Sequence, residues 1–270
     1  MTANHTGGLG RQAVDWTVIA STGQRFVDFA PYVPSVNDAG LVAFQATLAG
    51  GGSGVFVGDG GPVEAAVTPP TVMRVTSHPD VNGSGKISFY GQLAADVDAV
   101  LLAGGGRHDV LEDTRGSFTA IGPLGPTMNE AGAVAFRAND IEHGAGVFVS
   151  RENGVATIAT SSDGWSEFHG LPVVDDAGSV VFRATKGDRT HGIYTFGGGT
   201  LRTVVQTGEE FATLGLFPSV GADGAVSFAA TLRGGGAGVF TYQPGGMIDS
   251  SCRMARSRPT AARSSPVRVP

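Results

Sequence analysis

The chain has 270 residues, of which 43 are glycine, 41% hydrophobic and 16% charged, with a formal net charge of −6. That balance excludes a disordered chain and suits many turns between short buried strands. No run approaches the roughly 20 apolar residues of a membrane helix, and a lone cysteine, Cys252, cannot form an internal disulfide.

The first residues, MTANHTGGLGRQ, lack a charged segment followed by an apolar run. Residues 1–12 therefore read as a flexible lead without a signal peptide. A cytoplasmic location is the expectation, although a secreted protein of this type needs no disulfide either. The next segment, AVDWTVIA at 13–20 followed by STG, resembles LRTVVQTG at 201–208. It reads as a β-strand displaced from the far end of the chain.

A repeat then runs to residue 246. Its units begin PSVNDAGLVAF at Pro34, PDVNGSGKISF at Pro79, PTMNEAGAVAF at Pro126, PVVDDAGSVVF at Pro172 and PSVGADGAVSF at Pro218. The prolines are 45, 47, 46 and 46 residues apart. A glycine follows each proline by six positions (Gly40, Gly85, Gly132, Gly178, Gly224), and a phenylalanine follows that glycine by four (Phe44, Phe89, Phe136, Phe182, Phe228). Each unit reads as four strands. A short Pro-x-Val step leads through an Asn-x-x-Gly turn to an alternating strand. A glycine-rich loop, a Gly-Val-Phe strand and a final strand such as Leu201–Val205 follow. Asp175 and Gly221 replace the turn asparagine in the last two units.

A sheet of about 46 residues cannot cover both its faces alone, so the expectation is an all-β, five-bladed β-propeller over residues 13–246. The fifth unit has no evident final strand before Gly246, so 13–20 is predicted to complete it and close the ring. Residues 247–270 carry five arginines and one acid, and read as a disordered basic tail. The remainder then holds thirteen basic and twenty-three acidic residues, which argues against nucleic acid as a partner of the folded domain and gives no reason for membrane binding.

In period, unit number and four-strand units the chain resembles the five-bladed tachylectin-2-like lectin propellers, without their tryptophan-rich sugar-binding repeats. In its Asn-x-x-Gly-x-Val-Ala-Phe signature it resembles uncharacterised bacterial repeat propellers. The resemblance implies the fold and transfers no activity.

Function should lie where the units differ, and they differ most in the segments joining one unit to the next: Phe26–Val33, Val72–His78, Phe118–Gly125, Trp165–Leu171 and Phe211–Phe217. Phe26, Phe118, Trp165 and Phe211 open four of them, either as packing anchors or as a ring of aromatics at a channel mouth. Asp28, Tyr32, Arg74, Asp80, Trp165 and Phe217 are the expected ligand contacts. His78 and His169 lie seven and nine residues before their turn glycines. That offset keeps both on one strand face, where with Glu167 or Asp80 they could form a metal site or an acid–base pair. No spacing matches a zinc motif, and the sequence names no cofactor, which stays unknown. His143 and His191 read as surface-loop residues, and Arg137 and Arg183 as a solvated face or a blade-edge ion pair. The leading expectation is a binding protein for a small polar molecule or glycan at the channel mouth. The alternatives are a hydrolase, lyase or isomerase using His78, His169 and Glu167, or a protein-interaction scaffold.

Overall fold

The computed structural model describes residues 15–246 and the strand Ile248–Met254. The described residues form five antiparallel sheets, one per repeat, with a single short 3-10 turn at Ser161–Asp163. In the first sheet Val42–Leu48 lies second from the inside, followed by Ser53–Gly58 and Glu64–Val67. Its inner edge is split. Phe26–Phe29 pairs with one half of Val42–Leu48, and Ser35–Val36 pairs with the other. The second, third and fifth sheets repeat this split, whereas in the fourth the two pieces fuse into Trp165–Val174 with a register shift between His169 and Val173. The predicted connections therefore begin as inner strands, and only their last residues bulge out of the ladder.

The turn glycines explain one invariant of the repeat. Gly40, Gly85, Gly132, Gly178 and Gly224 all sit at φ between 76° and 82°, a region costly for any residue with a Cβ. The turn asparagines have two roles. Each Oδ1 accepts a backbone N–H of its own turn, from Leu41, Lys86 and Ala133 in successive sheets. Each Nδ2 donates to the next sheet: Asn37 to the Asn82 carbonyl at 2.9 Å, Asn82 to that of Asn129 at 3.4 Å, and Asn129 to that of Asp175 at 2.9 Å. Asp175 keeps the first role, accepting from Ser179 N, but a carboxylate has no N–H to pass on. A cleft of about 550 Å³ opens there between the fourth and fifth sheets, lined by Asp175, Thr195, Arg202, Asp223 and Tyr242.

The repeated phenylalanine is the packing residue the sequence predicts. Phe44, Phe89, Phe136, Phe182 and Phe228 are all at most 8% exposed. In four sheets it belongs to a trio of rings, with edge contacts at 4.8 Å for Phe26–Phe56, 4.9 Å for Phe118–Phe148, 4.6 Å for Trp165–Tyr194 and 5.0 Å for Phe211–Phe240. Val72 and Leu101 take these places around Phe89. From the second sheet onward, each of these sets packs on the preceding sheet. Phe118, Phe136 and Phe148 meet Tyr90 and Val100, Phe182 meets Ala135 and Val147, and Phe228 meets Val181 and Ile193. Four apolar cores thus join successive sheets, the architecture of a β-propeller.

Closure differs from expectation. The outer strand of the fifth sheet is Ile248–Met254, antiparallel to Ala237–Tyr242. The edge predicted to be vacant is already filled, and the ordered fold runs beyond residue 246 into the segment read as a disordered tail. Within the predicted closing segment, residues 13 and 14 lie outside the described residues, and 15–20 form no strand. Ile19 and Ala20 pack instead on the aromatic cluster of the first sheet, with Thr17 over Gly60. Among the described residues no apolar cluster joins the fifth sheet to the first. The lead 1–12 and the tail 255–270 also lie outside the described residues.

Candidate functional site

The inner ends of the second to fifth sheets converge on a cavity of about 220 Å³ lined by Val81, Met128, Val174 and Val220 together with the turn residues Asn82, Asn129 and Asp175. Neither His78 nor His169 lines it. His78 sits in the bulge between Val75 and Asp80, its ring against Gly125 of the third sheet. A carbonyl can only accept, so the 3.1 Å contact between Nδ1 and the Leu124 oxygen puts the proton on Nδ1. Burial holds this imidazole below its ordinary pKa, opposed by the Asp80 charge and the Leu124 bond. Asp80 is committed elsewhere. Its Oδ2 accepts Met128 N at 2.7 Å and its Oδ1 accepts the Ser35 hydroxyl at 3.0 Å, so it ties three sheets together. Burial raises its pKa against those bonds.

His169 belongs to a separate group on the fourth sheet. The Thr185 hydroxyl lies 2.6 Å from His169 Nε2 and 2.8 Å from His191 Nδ1, donating to one ring and accepting from the other. Glu167 Oε1 is 3.5 Å from His169 Nδ1. Burial, followed by the Arg183 charge, lowers the pKa of His169. The two histidines expected to share a channel thus have different partners. Strand alternation placed them on comparable faces but could not show that Asp80 and Leu124 engage one while Thr185 engages the other. Among the described residues no three His, Cys, Asp or Glu side chains are grouped to hold a metal ion.

Trp165 is a core residue, enclosed by Phe168, Phe182 and Tyr194. Phe26, Phe118 and Phe211 are buried likewise, so these aromatics are packing anchors and not a mouth ring. Phe217 is exposed on the fifth sheet, apart from the other expected contacts. Arg137 and Arg183 were read from sequence as a solvated face or a blade-edge ion pair, and neither is freely solvated. Arg137 Nη1 donates to the Gly170 carbonyl of the fourth sheet at 3.2 Å, and Arg183 is buried.

Three expected ligand contacts do come together. Asp28, Tyr32 and Arg74 line a cleft of about 450 Å³ between the first and second sheets, with Gln45, Thr47 and Thr76. The inner strand Phe26–Phe29 brings Asp28 to one wall, and Arg74–Val75 brings Arg74 to the other. A register shift between Phe26 and Asp28 turns the ring into the core while the carboxylate stays outside. Tyr32 donates its hydroxyl to the Thr76 carbonyl at 3.3 Å, bridging the two sheets. Gln45 donates from Nε2 to the Val75 carbonyl at 3.1 Å, while its Oε1 is sealed from solvent without a hydrogen-bond partner. Sequence reasoning passed over Gln45. The available signal was its place in the strand position that also holds Tyr90, Arg137 and Arg183, where side chains reach the next sheet.

No protein-family model and no curated protein matches the chain. Among solved structures, a puromycin-hydrolyzing peptidase of Mycobacterium tuberculosis superposes with a TM-score of 0.58 at 13% identity, over 87% of this chain and 39% of the peptidase. A puromycin hydrolase superposes with a TM-score of 0.58 at 15% identity, over 85% of this chain and 40% of the hydrolase. The six-bladed β-propeller lectin of Aleuria aurantia gives a TM-score of 0.45 at 12% identity, over 85% of this chain and 79% of the lectin. The chain thus spans about two fifths of the two hydrolytic enzymes, and the likeness to them is one of fold. No described helix is long and apolar enough to cross a membrane.

Proposed function

We propose that the chain is a five-bladed propeller whose role is to bind a small polar ligand, of carbohydrate type, in the cleft between its first and second blades. Five repeats at a constant period and five sheets support the blade number. The observation that carries the ligand reading is the lining of the cleft: a carboxylate, a guanidinium, an amide, two threonines and a tyrosine around a space of about 450 Å³. Vicinal hydroxyls are donors and acceptors at once. Asp28 can accept from them, Arg74 can donate in parallel, and the Tyr32 ring offers a flat apolar surface for the C–H face of a sugar. The acidic and basic groups come from separate sheets, so a ligand would also bridge the seam.

Glycan-array screening followed by calorimetry tests this reading. Arg74 is exposed and makes no side-chain hydrogen bond among the described residues. Arg74→Ala is therefore expected to leave stability within about 0.5 kcal/mol while weakening the best-bound glycan at least about tenfold. A glycan bound equally by wild type and by the double variant Arg74→Ala, Asp28→Ala would place the ligand elsewhere and sink the proposal.

A further inference from the structure

A second seam carries a different demand. Arg183 lies in Val180–Lys186 and is only 8% exposed. Its guanidinium has five N–H donors. None makes a hydrogen bond or ion pair with a described residue, and Nε is shut off from solvent. A buried, unpaired guanidinium is one of the costliest groups a fold can carry. The equivalent residues on neighbouring sheets are better served: Arg137 reaches the Gly170 carbonyl and Gln45 that of Val75.

The surroundings of Arg183 are equally specific. His169 pairs directly across from it in the ladder, and Glu167 and His191 pair across from Thr185. Cross-strand partners share a face, so Arg183, His169, Thr185 and His191 form one polar patch on the side of the fourth sheet that packs against the fifth. Val181 and Ile193 of the same face join Phe211 and Phe228 of the fifth sheet. Glu167, the carboxylate of the patch, stands at its edge with its side chain 66% exposed, 3.5 Å from His169; its charge also bears on Arg183, without a hydrogen bond or ion pair between them.

We infer that the seam between the fourth and fifth sheets is a binding site for the carboxylate of a small molecule, with Arg183 as its principal donor and His169, Thr185 and His191 as neighbouring polar contacts. The edge of a guanidinium formed by Nε and one Nη presents two parallel N–H groups, which match the two oxygens of a planar carboxylate. An acid entering between the sheets would meet that edge beside Val181 and Ile193 of the same face, where a charge-assisted bond is little screened by water. The inference rests on Arg183 and its neighbours and does not depend on the cleft between the first and second sheets.

Calorimetry at low ionic strength with sodium glucuronate, and with glucose as its uncharged counterpart, tests it. The wild-type protein is expected to bind glucuronate and not glucose. Arg183→Gln, which installs the residue found at the equivalent position Gln45, is expected to weaken glucuronate at least about tenfold and to keep a cooperative melt. Glu167→Gln removes a like charge from the rim and is expected to bind glucuronate as tightly as wild type or tighter. The cleft variant Arg74→Ala is expected to bind glucuronate unchanged, so the two sites fail separately. Three results would overturn the inference: no glucuronate binding by the wild type, equal binding by Arg183→Gln, or equal binding of glucose. A Glu167→Gln protein that melts well below wild type and binds no glucuronate would show instead that Glu167 is the partner of Arg183.

Discussion

Replacing Phe136 with alanine is expected to destabilise the protein by about 3–5 kcal/mol. The side chain is fully buried, in edge contact with Phe118 at 5.6 Å and tilted against Phe148 at 5.8 Å. Those rings are held in turn by Tyr90 and Val100 of the preceding sheet. Removing one ring from such a cluster leaves a cavity that the others cannot fill without shifting two ladders, so the cost is expected near the upper part of the range. Phe217→Ala provides the contrast. That side chain is 58% exposed, and its loss should change stability by about 0.5 kcal/mol or less. Urea unfolding of both variants measures the difference, and a Phe136→Ala loss below about 1 kcal/mol would mean that the trio is not a packing unit.

Gly170→Ala is expected to cost about 2–4 kcal/mol, combining a left-handed backbone with a collision. Gly170 has φ of 59°. A Cβ there would fall inside the van der Waals radius of the Leu216 carbonyl oxygen, which is backbone of the next sheet and has no rotamer to yield. The Gly170 carbonyl also receives the Arg137 guanidinium, so the strain would spread to the seam between the third and fourth sheets. Gly105→Ala at a turn, where nothing stands within 4 Å of the added carbon, isolates the backbone part of the cost. If Gly170→Ala lost no more than Gly105→Ala in thermal unfolding, the close approach of the fourth and fifth sheets would be refuted.

The parts of this architecture visible in the sequence are those that each unit must solve alone. A hairpin turn needs a residue at positive φ, hence the regular glycines, and a sheet needs one large ring against its neighbour, hence the regular phenylalanines. The Asn-x-x-Gly turn was visible too, but not its second role. A side chain that bonds its own backbone and also reaches 46 residues ahead, as Asn129 does to Asp175, looks in sequence like an ordinary turn residue. The split inner strand misled the reading of the connections. The register shift after Phe26 breaks the two-residue alternation, so ring and carboxylate cannot be assigned to faces by counting. Of the cleft residues, Asp28, Tyr32 and Arg74 were singled out because they depart from the repeat, whereas Gln45 was passed over because it occupies a repeated position, and Arg183 at that same position was read only as a solvated face or an ion pair. The last strand was missed for a chemical reason. IDSSCRM has none of the valine-rich character of Thr200–Gln206, and AVDWTVIA resembled that strand more closely.

Hydrogen exchange at Ala237–Tyr242 tests the chain's assembly most directly, because these residues pair with Ile248–Met254, while the described residues 15–20 form no strand. A protein ending at residue 246 is expected to lose protection at the amides facing the missing strand, while a protein starting at residue 21 keeps it. Protection lost in the second protein and retained in the first would show that the fifth sheet is completed from the N-terminus and would contradict the order of sheets described above.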